Sequence, residues 1–159
     1  MNPEKIVKSS QEQAFAAWIG YLNQIRLDRL AEALSKQNLN FAAAMDSIEK
    51  ALAIIKTDII SRNRGGDKGM HGFIAEIAEC GIGNARQQIV GKAGEYVWIN
   101  DNGPVDILRG ADIIQQKFVQ SGGHLSLQAI TQHMQQYPDF LADGGKYQIP
   151  KDHYDKIMA

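Results

Sequence analysis

Apolar residues on a helical period fill the first third of the chain, in two stretches. The first, in residues 11–37, consists of Phe15, Trp18, Ile19, Leu22, Ile25, Leu30 and Leu34. The second has a spacing of 4-3-4-3-4 and forms a single apolar stripe of Phe41, Met45, Ile48, Leu52, Ile55 and Ile59. The turn-forming residues of KQNLN, at 36–40, separate the two stretches. The pattern predicts an antiparallel helical hairpin over residues 1–62, with the stripe as internal core or, where uncovered, as a dimerisation surface.

The pattern changes after this predicted hairpin. SRNRGGDKG, at 61–69, combines three glycines with strong charge and predicts a domain boundary, so a second domain covers residues 66–159. This domain begins with an apolar helix from about Met70. Three strands are predicted next, by YVWIN, VDIL and DIIQQKFV, the last two forming a hairpin across RGA. LSLQAITQHMQQY predicts a helix, and KYQIPKDHYDKIM predicts an extended piece that leads into a last helix.

Composition narrows the class of protein. The chain has 159 residues, 44% of them apolar, and a net charge of −1, so no bulk basic field indicates nucleic-acid binding. The single Cys80 excludes an internal disulfide framework and a cysteine-rich zinc site. No apolar run approaches the roughly 18 residues that span a membrane, and the N-terminus lacks the apolar core of a signal peptide. We expect a cytoplasmic protein without a membrane partner. Because the sequence ends in a helical pattern, a further C-terminal domain stays an open alternative.

Polar residues stand at unusual places in the predicted hairpin GPVDILRGADIIQQK, at 103–117. Asp106 begins one strand, and Gln115 and Lys117 are two apart on the next, which places their side chains on the same face. The turn at Gly110 lets Asp106 lie beside them, and Glu76 on the preceding helix can pack against that face. Two acids, an amide oxygen and an ammonium group suit a hard divalent cation and a phosphate.

The helix HGFIAEIAE and the hairpin GPVDILRGADIIQQKF together resemble the PD-(D/E)XK nuclease superfamily over roughly residues 70–135. That family's pattern is a helix with a glutamate, a strand with an aspartate, and an acid-x-lysine on the next strand. Glu76, Asp106 and Gln115-x-Lys117 match these positions, with glutamine in place of the acid. The resemblance implies a restriction-endonuclease-like α+β or α/β domain, with a small mixed sheet and flanking helices.

The resemblance also implies a function. It predicts a hydrolase that cleaves phosphodiester bonds of DNA or RNA with Mg²⁺ or Mn²⁺, in a phage, mobile-element, defence or toxin setting. Asp106 would be the main metal ligand, Gln115 a second through its carbonyl oxygen, and Glu76 a direct or water-mediated one. Lys117 would stabilise charge at the phosphate. His124, which follows two glycines, and the basic residues Arg86 and Lys68 would contact the substrate, with Lys92, Arg62 and Arg64 as further members of a basic rim.

Other interpretations of the same residues stay open. The Asp106 carboxylate could instead cap a turn, as aspartate commonly does. Gln115 and Lys117 could lie on a strand face exposed to solvent, and Glu76 could be a surface charge. The glutamine at 115 and the near-neutral charge favour a non-catalytic module of nuclease fold, which would serve oligomerisation, as a homodimer, or partner binding. GIGNAR, at 81–86, lacks the Gly-Lys-Ser/Thr ending of a phosphate loop and follows no strand, so it is not a nucleotide site. We expect His133 and His153 to be structural or exposed, and Cys80 to be a small core residue.

Overall fold

The computed structural model describes residues 3–118 and 126–158. Side chains are described for all of these residues except 3–9, 67, 68 and 157. The chain is a mixed α+β protein with two compact units, residues 1–40 and 41–159. Helix α1 runs over Pro3–Ile54 and a π-helical turn follows over Ile55–Ile60. The remaining elements are α2 (Gly66–Ile89), β1 (Tyr96–Trp98), β2 (Ile107–Arg109), β3 (Asp112–Gln116), α3 (Leu127–Gln136), β4 (Gly145–Gln148) and α4 (Lys151–Met158).

The helical hairpin predicted for residues 1–62 is wrong. Residues 36–40, where we expected the turn, are helical and belong to α1. The reason is that KQNLN contains neither glycine nor proline. Asparagine in a helix costs only about 0.7 kcal/mol relative to alanine, which is too little to end a long helix. The chain does leave the helix at 61–65, but residues 41–60 already lie in the same compact unit as the sheet.

The sheet has four strands in the order β1-β2-β3-β4. The first three form an antiparallel meander, in which the β2–β3 hairpin is as predicted, and β4 pairs with β3 in parallel. Gly110 has a φ of 58°, which suits the first position of the two-residue loop between β2 and β3. The extended piece predicted before the last helix is therefore a strand of this sheet, reached through α3.

Two clusters of buried side chains hold α2 against its neighbours. In one, Ile77 of α2 packs on Ala51 and Ile59, and in the other Cys80 packs on Ile107 and Ile114 of the sheet. Trp98 contacts both clusters. The expectation that Cys80 is a core residue is confirmed, since its thiol is buried. The helix that carries Glu76 is thus fixed to β1, β2 and β3.

The glycines of GIGNAR allow this close packing. They lie within α2 and not in a loop. A Cβ at Gly81 would come within 2.5 Å of the Ala51 Cβ, and one at Gly83 within 2.7 Å of the Tyr96 ring. Both glycines are therefore required where a helix and a strand approach α2, which agrees with the rejection of a phosphate loop.

Candidate functional site

Asp106 is fixed between two strands, immediately before β2. Its N–H donates to the Ile114 carbonyl at 2.9 Å, and its own carbonyl accepts from the Ile99 N–H at 2.8 Å. Its carboxylate Oδ2 accepts from the backbone N–H of Gln116 at 2.7 Å and from the side-chain amide of Gln115. Burial raises the pKa of Asp106, and these two donors and the Lys117 charge oppose the rise. Asp106 is therefore more than a turn cap, because its carboxylate joins β2 to β3.

Gln115 is buried, with 3% of its surface exposed, so it is not part of a solvated strand face. Its amide nitrogen donates to Asp106, which leaves the carbonyl Oε1 pointing elsewhere. Among the described residues, this buried oxygen has no hydrogen-bond partner, and the same is true of Gln116 Oε1 and His133 Nε2. An unpaired buried acceptor costs about 1–3 kcal/mol, so a donor or a cation that reaches the Gln115 oxygen would stabilise the arrangement. The amide oxygen beside a carboxylate is a ligand set that Mg²⁺ accepts.

Glu76 approaches from α2, which packs on Ile114 and therefore lies on the opposite face of β3 from the Gln115 side chain. Its Oε2 accepts a hydrogen bond of 2.9 Å from the Trp98 indole N–H. Burial raises the pKa of the Glu76 carboxyl to about 7, and the negative charge of Asp106 adds to the rise. The Trp98 hydrogen bond and the positive charges of Lys117 and Arg64 oppose it. Glu76 is thus no surface charge, and near neutral pH it is poised between its two protonation states.

Lys117 follows the last residue of β3. Its N–H donates to the Gln148 carbonyl at 2.8 Å, which continues the pairing with β4. Burial lowers the pKa of the Lys117 ammonium, whereas the charges of Asp106 and Glu76 raise it. Lys117 therefore interacts with both acids at once, and the three charged groups form one electrostatic neighbourhood.

The backbone of Lys117 is held by a buried polar contact. The Ser126 hydroxyl donates to the Lys117 carbonyl at 2.8 Å, and the same oxygen lies 2.7 Å from His153 Nδ1. Ser126 is fully buried and His153 is 9% exposed, so α4 is connected to the end of β3 through hydrogen bonds shielded from water. Of the two alternatives expected for His153, structural or exposed, the structure supports the structural one.

His133 of α3 is buried, and its Nδ1 lies 2.7 Å from the Tyr147 hydroxyl. Burial lowers the pKa of His133, and the positive charge of Lys117 lowers it further. The histidine is thus a neutral structural residue that lies within reach of the Lys117 charge.

The basic residues predicted to contact substrate have different positions. Arg86 is exposed in the last turn of α2, ten residues after Glu76 and so about 15 Å along the helix axis. Arg64 is the rim residue that the structure brings to the site, since its charge acts on Glu76 and its guanidinium stacks on Phe73 at 4.2 Å. His124 and the side chain of Lys68 lie outside the described residues.

Two features of this site escaped sequence reasoning. Trp98 is the hydrogen-bond donor to Glu76. The sequence shows it only as an aromatic residue in a short strand, which does not indicate a role in the site. The Ser126–His153 pair joins residues far apart in sequence, so no local pattern reveals it.

The described residues contain no group of three or more His, Cys, Asp or Glu side chains placed to hold a metal ion. The oxygen ligands that the site offers are therefore the carboxylates of Asp106 and Glu76 and the amide oxygen of Gln115. None of the helices in residues 3–118 and 126–158 is long and apolar enough to cross a membrane.

Comparison with known proteins adds no relative: no protein-family model, no curated protein and no solved structure matches this chain.

Proposed function

We propose that this protein is a metal-dependent nuclease that hydrolyses phosphodiester bonds of DNA or RNA. The observation that carries the proposal is the buried Gln115 Oε1, which lacks a partner beside the Asp106 carboxylate. The resemblance to PD-(D/E)XK nucleases supports it, since a helix glutamate, an aspartate and a Gln-x-Lys pair occur here in that order, on α2, immediately before β2 and at the end of β3.

The residues present fit a divalent cation. Asp106 and Gln115 would hold Mg²⁺ or Mn²⁺ through hard oxygen atoms, with Glu76 reaching the ion through a water, and the bound ion would supply a water of lowered pKa and positive charge at the phosphate. Glutamine contributes no negative charge, so we expect weak binding and a need for millimolar metal.

The chain's own residues have separate tasks in this reaction. Lys117 places a positive charge beside the two acids, where negative charge on the phosphoryl oxygens increases in the transition state. Asp106 keeps β2 and β3 in register, so that its own carboxylate and Gln115 stay aligned. The Trp98 indole fixes the Glu76 carboxylate through its hydrogen bond. The Ser126 hydroxyl fixes the backbone from which the Lys117 side chain starts.

Cleavage assays test the proposal directly. Purified protein is incubated with plasmid, single-stranded DNA and RNA, in Mg²⁺, in Mn²⁺ and in chelator. We expect cleavage that requires metal and that falls by about a hundredfold or more in Lys117→Ala, because a charge that stabilises the transition state is lost. Lys56→Ala, an exposed lysine of the π-helical turn, is the matched control and should retain full activity.

A second variant tests the role of Gln115. Gln115→Glu restores the acid of the family pattern, so the Mg²⁺ concentration for half-maximal cleavage should fall. Gln37→Glu adds the same charge at an exposed position of α1, outside the site, and should not lower it. Absence of cleavage with every substrate and both metals would reject the enzyme and favour the non-catalytic module.

A further inference from the structure

A cavity of about 290 Å³ lies next to the proposed site, on the side of α3. Val105, one of its lining residues, directly precedes Asp106. Ile113, another, is two residues before Gln115 on β3, so both side chains point to the same face and lie about 7 Å apart along the strand. The cavity therefore continues the site along the direction in which the strands run.

The walls of the cavity are apolar and fixed. Tyr137 and Phe140 line it, and both pack on the buried ring of His133, at centroid distances of 4.8 and 5.0 Å. The hydrogen bond between His133 Nδ1 and the Tyr147 hydroxyl holds that ring in place. A volume at the lower end of the range for small-molecule sites has room for one planar ring system.

The rim of the cavity is acidic. Asp139 and Asp143 line it, and both are exposed. Carboxylates repel a phosphate group but accept hydrogen bonds from the amino groups of nucleobases, as they do from the N4 amino group of cytosine. The rim thus favours the base of a nucleotide and disfavours its phosphate.

We propose that this cavity binds an unstacked nucleobase adjacent to the phosphate at the Asp106–Lys117 site, with a preference for a base that carries an exocyclic amino group. The inference rests on the proposed nuclease function and specifies its substrate. A base can enter such a pocket only from a single strand or after flipping out of a duplex. The substrate class is therefore single-stranded nucleic acid, or duplex regions that open readily.

Binding in chelator tests the pocket without cleavage. Fluorescence anisotropy gives the Kd of the full chain for labelled oligodeoxycytidine, oligothymidine and duplex DNA of equal length. We expect tighter binding of oligodeoxycytidine than of the other two. Val105→Trp, which fills the cavity, and Tyr137→Leu, which removes a stacking ring, should each raise that Kd by roughly tenfold or more. Tyr154→Leu, which removes an exposed tyrosine on α4, is the control and should leave it unchanged.

The double variant Asp139→Asn, Asp143→Asn tests the acidic rim. It should reduce the difference in Kd between oligodeoxycytidine and oligothymidine. Circular dichroism establishes that each variant is folded. If folded Val105→Trp and Tyr137→Leu bind as the original chain does, the pocket proposal is overturned, even where metal-dependent cleavage is intact. If the original chain shows the expected binding but no variant or condition gives cleavage, the nuclease proposal fails and the pocket stands.

Discussion

Residues 10–40 and residues 41–118 contain apolar side chains at similar helical spacing, but only the second region buries them. In the first region no described side chain is buried, and large residues such as Trp18 and Leu30 are 57% and 55% exposed. In the second region Ile59 and Ile77 have 0% and 1% of their surface exposed. Helical spacing thus predicts a helix in both regions, whereas burial also requires a partner surface.

The second region supplies that partner surface through small residues and a sheet. Gly81 lets α2 approach Ala51, Gly83 lets the Tyr96 ring approach α2, and Ile107 and Ile114 cover Cys80. The polar residues of the candidate site are then buried along with the apolar ones. Their raised and lowered pKa values are a consequence of this packing, because desolvation is the largest cause at Glu76, Asp106 and Lys117.

The two regions should differ most in how much free energy of unfolding is lost when one apolar side chain is truncated. Ile77→Ala removes a fully buried side chain and should lower the free energy of unfolding by about 2–5 kcal/mol. Leu30→Ala, in the exposed region, should change it by less than about 0.5 kcal/mol, since alanine is at least as good a helix former. Urea unfolding of both variants measures these values. A loss at Leu30 as large as at Ile77 would mean that the exposed apolar residues are covered in solution.

The next largest difference is expected between a buried hydrogen bond of the unit that contains the sheet and an exposed hydrogen bond of α1. Ser126→Ala removes the buried donor to the Lys117 carbonyl and should cost about 1–3 kcal/mol. Gln24→Ala removes the exposed bond of 2.8 Å to Asp28, within α1, and should cost only about 0.2–0.5 kcal/mol. The same unfolding experiment compares them, and equal costs would contradict the buried Ser126–His153 contact.

The pH dependence of stability should give the smallest effect. The pKa of Glu76 is raised from 4.5 in the unfolded chain to about 7, so the folded protein favours the protonated acid. Its contribution is fully present below pH 4.5 and is lost as the pH rises through about 7, a change on the order of 1 kcal/mol after allowance for solvent.

Unfolding in chelator, measured below and above this range, checks the prediction. Glu76→Gln should flatten this part of the pH profile while keeping an acceptor for Trp98. Glu32→Gln, an exposed acid of α1, is the control and should leave the profile as it is. An unchanged profile in Glu76→Gln would show that another group titrates.

Sequence reasoning predicted the parts of the fold that depend on neighbours in the chain. The helix with Glu76 and the β2–β3 hairpin follow from local periodicity and from Gly110, and the hairpin in turn places Asp106 beside Gln115. The continuity of α1 could not be predicted, because asparagine is common both in turns and in tolerated helix positions. The parallel pairing of β4 and the contacts of Trp98 and His153 depend on residues distant in sequence, which no local pattern specifies.

The indole of Trp98 has one more consequence. The chain contains two tryptophans, one in the exposed part of α1 and one bonded to Glu76. A Trp18→Phe variant would therefore leave a single emitter, whose hydrogen-bond acceptor is a proposed ligand of the site. The fluorescence of that variant would report protonation of Glu76 or capture of a cation optically, in a titration without label, substrate or turnover.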